Sequence, residues 1–145
     1  MKDAIGITIL LIIFTWITLF TQFSLDYNTR QQAIENIVYR YTQVAAKKGE
    51  MSSLVYEEME KKLNLYGEFD IILSAEKFSE NDVAEYTNDI LDTNLREEGF
   101  DIINVYAQSR KPHLIKIVMH NTPFGDLNKS NTNYYLIAKS SSYVK

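Results

Sequence analysis

Residues 4–23 carry no charged side chain, and this run restricts the fold more than any other feature of the chain. An α-helix rises about 1.5 Å per residue, so about twenty apolar residues cross the roughly 30 Å hydrocarbon core of a bilayer. Ile9, Leu10, Leu11, Ile12, Ile13, Phe14 and Trp16 make up its most apolar part. Such a stretch is apolar on every side of a helix, which a helix lying on a soluble core does not need. Thr8, Thr15, Thr18 and Thr21 are compatible with lipid because a helix hydroxyl bonds back to the carbonyl one turn earlier. Small polar residues also suit packing against a second membrane helix. A cleaved signal peptide has an apolar stretch of about 7 to 15 residues and then a small-x-small site. Here the run is longer and ends in Thr21, Gln22, Phe23 and Ser24. The expectation is a retained transmembrane anchor, residues 1–25, followed by one α+β domain, residues 26–145. A tail of three residues before a long carboxy-terminal domain is the layout of a signal anchor, with the domain outside the cell membrane. The Lys and Arg count, Lys2 against Arg30 and Arg40, adds little to that orientation.

Composition narrows the chemistry. The chain has no Cys among its 145 residues, so disulfides, thiolate zinc sites and thiol nucleophiles are excluded. The net charge of −4 hides an uneven distribution: residues 50–101 hold fifteen acids against four bases, and residues 102–145 hold six bases against one acid. Solvated acidic helices and scattered strand lysines would produce this pattern. So would two oppositely charged surfaces that meet within one molecule or between copies. The basic residues Arg110, Lys111, Lys116, Lys129, Lys139 and Lys145 are spread out, so nucleic acid is not an expected partner.

After the anchor, Ile34, Ile37, Val38, Tyr41, Val44 and Ala45 recur at three- and four-residue steps, which predicts an amphipathic helix whose packing face is carried by Ile34, Ile37, Val38 and Tyr41. Lys47, Lys48 and Gly49 suit its carboxy-terminal end. Residues 26–28 contain neither Gly nor Pro, so a break there and a helix running on from the membrane are both open. Ser52 or Ser53 caps a second helix, with Val55, Met59 and Leu63 on one side. Phe69, Ile71, Leu73 and Ala75 alternate with polar neighbours and predict a strand. The Ser79-Glu80-Asn81-Asp82 start and the spacing of Val83, Tyr86, Thr87, Ile90 and Leu91 predict a third helix ending near Gly99. Residues 100–107 and 114–119 read as a hairpin turning at Ser109-Arg110-Lys111-Pro112. A polar loop follows over residues 121–132, with a last strand at residues 134–139.

The chemistry-bearing residues form no recognisable site. His113 and His120 are seven apart, and on one strand an odd separation sends them to opposite faces. The acidic pairs Glu57-Glu58 and Glu97-Glu98 are simplest as solvated faces and helix ends. Gly-rich phosphate loops, Gly-x-Ser-x-Gly elbows and His-Glu-x-x-His helices are absent from the sequence. No catalytic residue, metal site or cofactor is expected, and the chain is not expected to be an enzyme.

The hydrophobic helix, its amphipathic continuation Arg30-Gln31-Gln32-Ala33-Ile34-Glu35-Asn36-Ile37-Val38-Tyr39-Arg40, the Ala45-Ala46-Lys47-Lys48-Gly49 helix end, the short helix to Leu63 and the ending Leu136-Ile137-Ala138-Lys139-Ser140 together resemble TadE-like pseudopilins. They also resemble the small pilin-like proteins of Gram-positive secretion and conjugation systems. The resemblance covers most of the chain and rests on layout. It implies a helix spine packed on a small, mainly antiparallel sheet, and a structural or accessory subunit of a secretion, pilus or conjugation assembly. Its partners would then be membrane lipid and envelope proteins, other copies of itself included. Pilins are processed at a Gly with a Glu five residues beyond the cut. Here Gly6 would place Leu11 at that position, and the first Glu is Glu35, so this subunit is expected to keep its amino terminus. The alternative is a monomeric anchored domain that binds a wall polymer, a ligand or a regulatory partner; the chain's ten Tyr, with Tyr134, Tyr135 and Tyr143 clustered in the tail, favour that role slightly, although Tyr is equally a good strand former.

Overall fold

The computed structural model describes residues 2–78, 84–88, 90–116 and 134–145. A single α-helix, α1 (Lys2–Lys48), begins the chain; at 1.5 Å per residue it is about 70 Å long. It runs without a break through residues 26–28, where Asp26 and Arg30 form an (i, i+4) ion pair at 2.9 Å on its surface. Its two halves have different environments. Every described side chain from Ala4 to Gln22 is exposed, with Leu10 at 66% and Phe14 at 69%. The hydroxyls of Thr8, Thr15, Thr18 and Thr21 donate to the carbonyls of Ala4, Leu11, Phe14 and Ile17, so none of these polar groups needs water. This half is long and apolar enough to cross a membrane. In the second half Ile34, Val38, Tyr41, Ala45 and Ala46 are buried.

The element they pack against is a four-stranded antiparallel sheet in the order β2-β1-β3-β4, formed by β1 (Phe69–Phe78), β2 (Ala84–Thr87), β3 (Ile102–Ser109) and β4 (Ile137–Tyr143). Ile71 pairs with Ala107, which pairs with Ala138, and this register puts alternate residues on a common face. Phe69, Leu73 and Ala75 of β1, Ile103, Val105 and Ala107 of β3, and Ala138 of β4 point inward. The short helix α2 (Ser53–Leu63) adds Val55, Met59 and Leu63 to the same core. Each large aliphatic side chain buried here contributes about 1.5–3 kcal/mol. The opposite sheet face is open and mixed, with Ile72, Ser74, Asn104, Tyr106, Lys139 and Tyr143, as expected of an antiparallel sheet covered on one side.

Two helix ends are closed by distant residues. Gly49, at φ +77°, ends α1 with its N–H on the Ala45 carbonyl at 2.8 Å, the left-handed cap that glycine adopts without strain. The Arg96 guanidinium donates to the Lys47 carbonyl at 2.6 Å and lies where a Cβ on Gly49 would sit, 2.8 Å away. Ser52 is the N-cap of α2 but makes no side-chain cap bond. Instead the Asp92 carboxylate accepts the Ser53 N–H at 2.6 Å and the Ser53 hydroxyl.

Three sequence expectations need correction. The third helix is absent among the described residues: Ala84–Thr87 is an edge strand on β1, and residues 90–100 are turns that bury Ile90 and Leu95. Tyr86 and Thr87 are β-formers that match a helical spacing equally well, and pairing with β1 decides between the two. The expected capping box, residues 79–82, lies outside the described residues. The neighbours of β3 are β1 and β4, and Leu114, Ile115 and Lys116 form a turn entering a helical turn, so the expected hairpin partner is not a strand where it is described. Finally, β4 runs from Ile137 to Tyr143, beyond the expected end at Lys139.

Candidate functional site

The chain direction of the elements assigns the domain two ends. β1 begins, β3 finishes, β4 begins and α2 finishes at the end nearest the apolar half of α1; α1 and β4 both finish at the other, where the Lys145 N–H donates to the Ala46 carbonyl. At the near end a cavity of about 370 Å³ opens between α1, the turn from α2 to β1 and the connection from β3 to β4. Asp26, Arg30, Glu68, Ser109, Lys111 and His113 supply its polar lining.

His113 lies at the centre of this junction, its side chain only 7% exposed. Its Nδ1 accepts the Ile115 N–H at 3.2 Å, so the proton of the neutral ring sits on Nε2, which donates to the Asp26 carboxylate at 2.9 Å. A tautomer assigned in this way follows from the hydrogen-bond network. The Arg30 guanidinium, and after it the His113 ring, hold the Asp26 carboxyl below the usual carboxylate range. Tyr27, one residue on, packs edge-on against His113 and Tyr134 with ring centroids 5.5 and 6.2 Å away. Its hydroxyl donates to the Tyr135 carbonyl at 3.3 Å, and burial pushes its ionisation upward. Tyr134 is held at φ +48°, an uncommon conformation for a side chain with a Cβ, while its carbonyl accepts the His113 N–H at 2.8 Å.

These bonds commit the reactive-looking groups to structure. The Ser109 hydroxyl donates to the Lys111 carbonyl at 2.9 Å and accepts the Leu136 N–H at 3.0 Å, and both His113 nitrogens are engaged. Among the described residues no cluster of three His, Asp or Glu could hold a metal ion. The arrangement clasps the helix leaving the apolar segment to the base of the domain.

Of the residues singled out in the sequence, Ile9, Leu10, Leu11, Ile12, Ile13, Phe14 and Trp16 lie on the exposed half of α1, 44–69% exposed. Ile34, Val38 and Tyr41 are in the core, while Ile37 is half-buried at its flank. His113 follows a turn, so the strand-parity argument against a shared metal does not apply to it; His120 lies outside the described residues. Sequence reasoning missed the Asp26–His113 clasp. The available signal was two (i, i+4) pairs, Asp26 with Arg30 and Tyr27 with Gln31, at the point where the apolar run gives way to the amphipathic one.

No family model, curated protein or solved structure matches the chain.

Proposed function

We propose that this protein is a single-pass, membrane-anchored, pilin-like subunit, structural or accessory, of an envelope secretion, pilus or conjugation assembly, with its domain outside the membrane and no catalytic activity. The observation that carries the reading is the division of α1. One unbroken helix offers an all-round apolar half to lipid or to neighbouring helices and lays its other half against a one-sided sheet. The helix thus enters the domain without a linker, as a subunit that transmits position or stacks with neighbours requires. The layout shared with TadE-like pseudopilins supports the same class. The clasp supports a non-catalytic role, since His113, Ser109 and Asp26 are engaged in holding the chain.

The test is cross-linking in the native membrane. A photoreactive residue replaces Phe14 on the exposed helix half, and another replaces Tyr143 on the open sheet face. Ladders of the protein with itself, or adducts with components of an envelope machine, support the proposal. A lone monomer band from both positions refutes it in favour of an anchored monomeric domain. Labelling of Ser141→Cys by an impermeant thiol reagent on intact cells tests the outside orientation; labelling only after lysis reverses it.

A further inference from the structure

We propose that the end of the domain nearest the anchor is a docking surface for the headgroup layer of the membrane that holds α1, with anionic phospholipid as its ligand. The inference rests on the anchor reading of residues 4–23, and position along the helix supplies its first argument. A bilayer of about 40–45 Å with a hydrocarbon core of about 30 Å leaves about 5–8 Å of headgroup on each side. α1 is unbroken beyond Phe23, so Tyr27 stands about 6 Å further along its axis. His113 and Tyr134 pack directly on Tyr27 and are therefore carried to headgroup height.

The side chains there suit that layer. Leu65 is 79% exposed and Leu114 59% exposed, on the turns described at this end. Tyr134 and Tyr135 are half-buried beside them, and such amphipathic rings are enriched at membrane interfaces. Lys111 is exposed, and the Lys116 ammonium lies over the Tyr135 ring, 6.0 Å from its centroid. Asp26 and Asp70 are offset by Arg30 and Arg110 at 2.9 and 2.7 Å. On the turns themselves, residues 64–68 and 110–116, the described charges outside these pairs are Lys111 and Lys116 against Glu68. The opposite end carries the acids Glu50, Asp92, Glu97, Glu98 and Asp101 mixed with the bases Lys47, Lys48, Lys77, Arg96 and Lys145. The end toward the anchor is thus weakly basic on its described turns and partly apolar. An anionic leaflet attracts basic residues near its surface, and the leucines have a partly apolar layer to enter.

The chain lacks Cys, so single-Cys variants of the intact protein can each carry one environment-sensitive fluorophore. Leu114→Cys, Glu97→Cys and Leu11→Cys are reconstituted in phosphatidylcholine vesicles with or without phosphatidylglycerol, and quenched by lipids carrying a nitroxide in the headgroup or deep in the acyl chain. The expected result is headgroup quenching at Leu114→Cys that rises with phosphatidylglycerol and falls with salt, and little quenching at Glu97→Cys. Adding Lys111→Gln and Lys116→Gln to Leu114→Cys lowers the docked-to-undocked ratio about fivefold for each lysine. Deep quenching at Leu11→Cys reports the anchor separately. If Leu11→Cys is quenched but Leu114→Cys behaves like Glu97→Cys, or ignores phosphatidylglycerol, the docking proposal is overturned and the anchor stands. An unquenched Leu11→Cys overturns both.

Discussion

Gln31 pairs with Ile137 as one strand pairs with another: its side-chain carbonyl accepts the Ile137 N–H at 3.1 Å while its amide donates to the Ile137 carbonyl. β4 is an edge strand, and an edge presents main-chain groups with no ladder partner. A side-chain amide presents an N–H donor and a carbonyl acceptor side by side, as a peptide group does. A residue on the helix thus satisfies the first residue of β4 and fixes the height of α1 along the sheet.

Gln31→Ala removes both bonds from a partly solvated site, and the expected loss is about 1 kcal/mol, with faster amide exchange at Ile137. Gln31→Glu keeps the acceptor but turns a carboxylate toward the Ile137 carbonyl and toward Glu35, which now accepts the Gln31 amide at 2.7 Å. It should destabilise more than Gln31→Ala at neutral pH and recover below about pH 4, when the new carboxyl is protonated. Thermal unfolding of the intact protein in micelles across pH measures both; equal melting of Glu and Ala variants at neutral pH would show that the pairing is not what holds the helix.

The packing face separates its members by burial. Ile34 and Val38 are fully buried and Ile37 is half-buried. Ile34→Ala should cost about 2–5 kcal/mol, because cavity and transfer terms add, and Ile37→Ala clearly less. Unfolding by denaturant in micelles ranks them, and an Ile37→Ala loss as large as that of Ile34→Ala would contradict this placement of the core.

This pair also shows how far periodicity carries. Spacing alone located the face, the strands β1 and β3 and the start of α2, because each buries one side and exposes the other. It did not separate Ile34 from Ile37, which depends on where β4 and α2 lie across the helix. It also assigned residues 84–87 to a helix, since Tyr86 and Thr87 suit either period until β1 offers an edge. The clasp was less legible still: Asp26 and His113 are 87 residues apart, and only the fold brings them together.

Asp92 caps α2 from across the chain, and this sets an acid limb of stability. Its two bonds from Ser53 hold its carboxyl below the usual value of 3.8. A lowered folded value means a contribution fully present above the ordinary range and lost as pH falls through it toward the folded value. Asp92 also has φ +55°, a conformation Asn tolerates and Ala does not. Asp92→Asn should therefore be mild and flatten stability below pH 4, while Asp92→Ala should destabilise at every pH. Asp92→Gly separates the causes, since it relieves the backbone but lacks the cap. If Asp92→Gly keeps the same loss of stability below pH 4 as the wild type, the carboxylate contributes nothing to holding α2.

The clasp should behave as one unit. Asp26→Ala leaves the His113 Nε2–H facing a cavity of about 370 Å³, roomy enough for water to replace the lost acceptor, so the loss should be about 1 kcal/mol. His113→Ala removes more: the edge contact with Tyr27, the acceptor for the Ile115 N–H and the volume of a nearly buried ring. Its loss should be about 2–3 kcal/mol. Once the ring is gone, Asp26 retains only an exposed pair with Arg30, worth a few tenths of a kcal/mol. The double variant should thus be scarcely less stable than His113→Ala, with a coupling of about 0.5–1 kcal/mol. Nitrogen-15 spectra of the imidazole supply an independent check, because the network requires the Nε2–H tautomer of the neutral ring. A ring protonated on Nδ1 instead, together with strictly additive losses, would mean that Asp26 and His113 are neighbours without an energetic link.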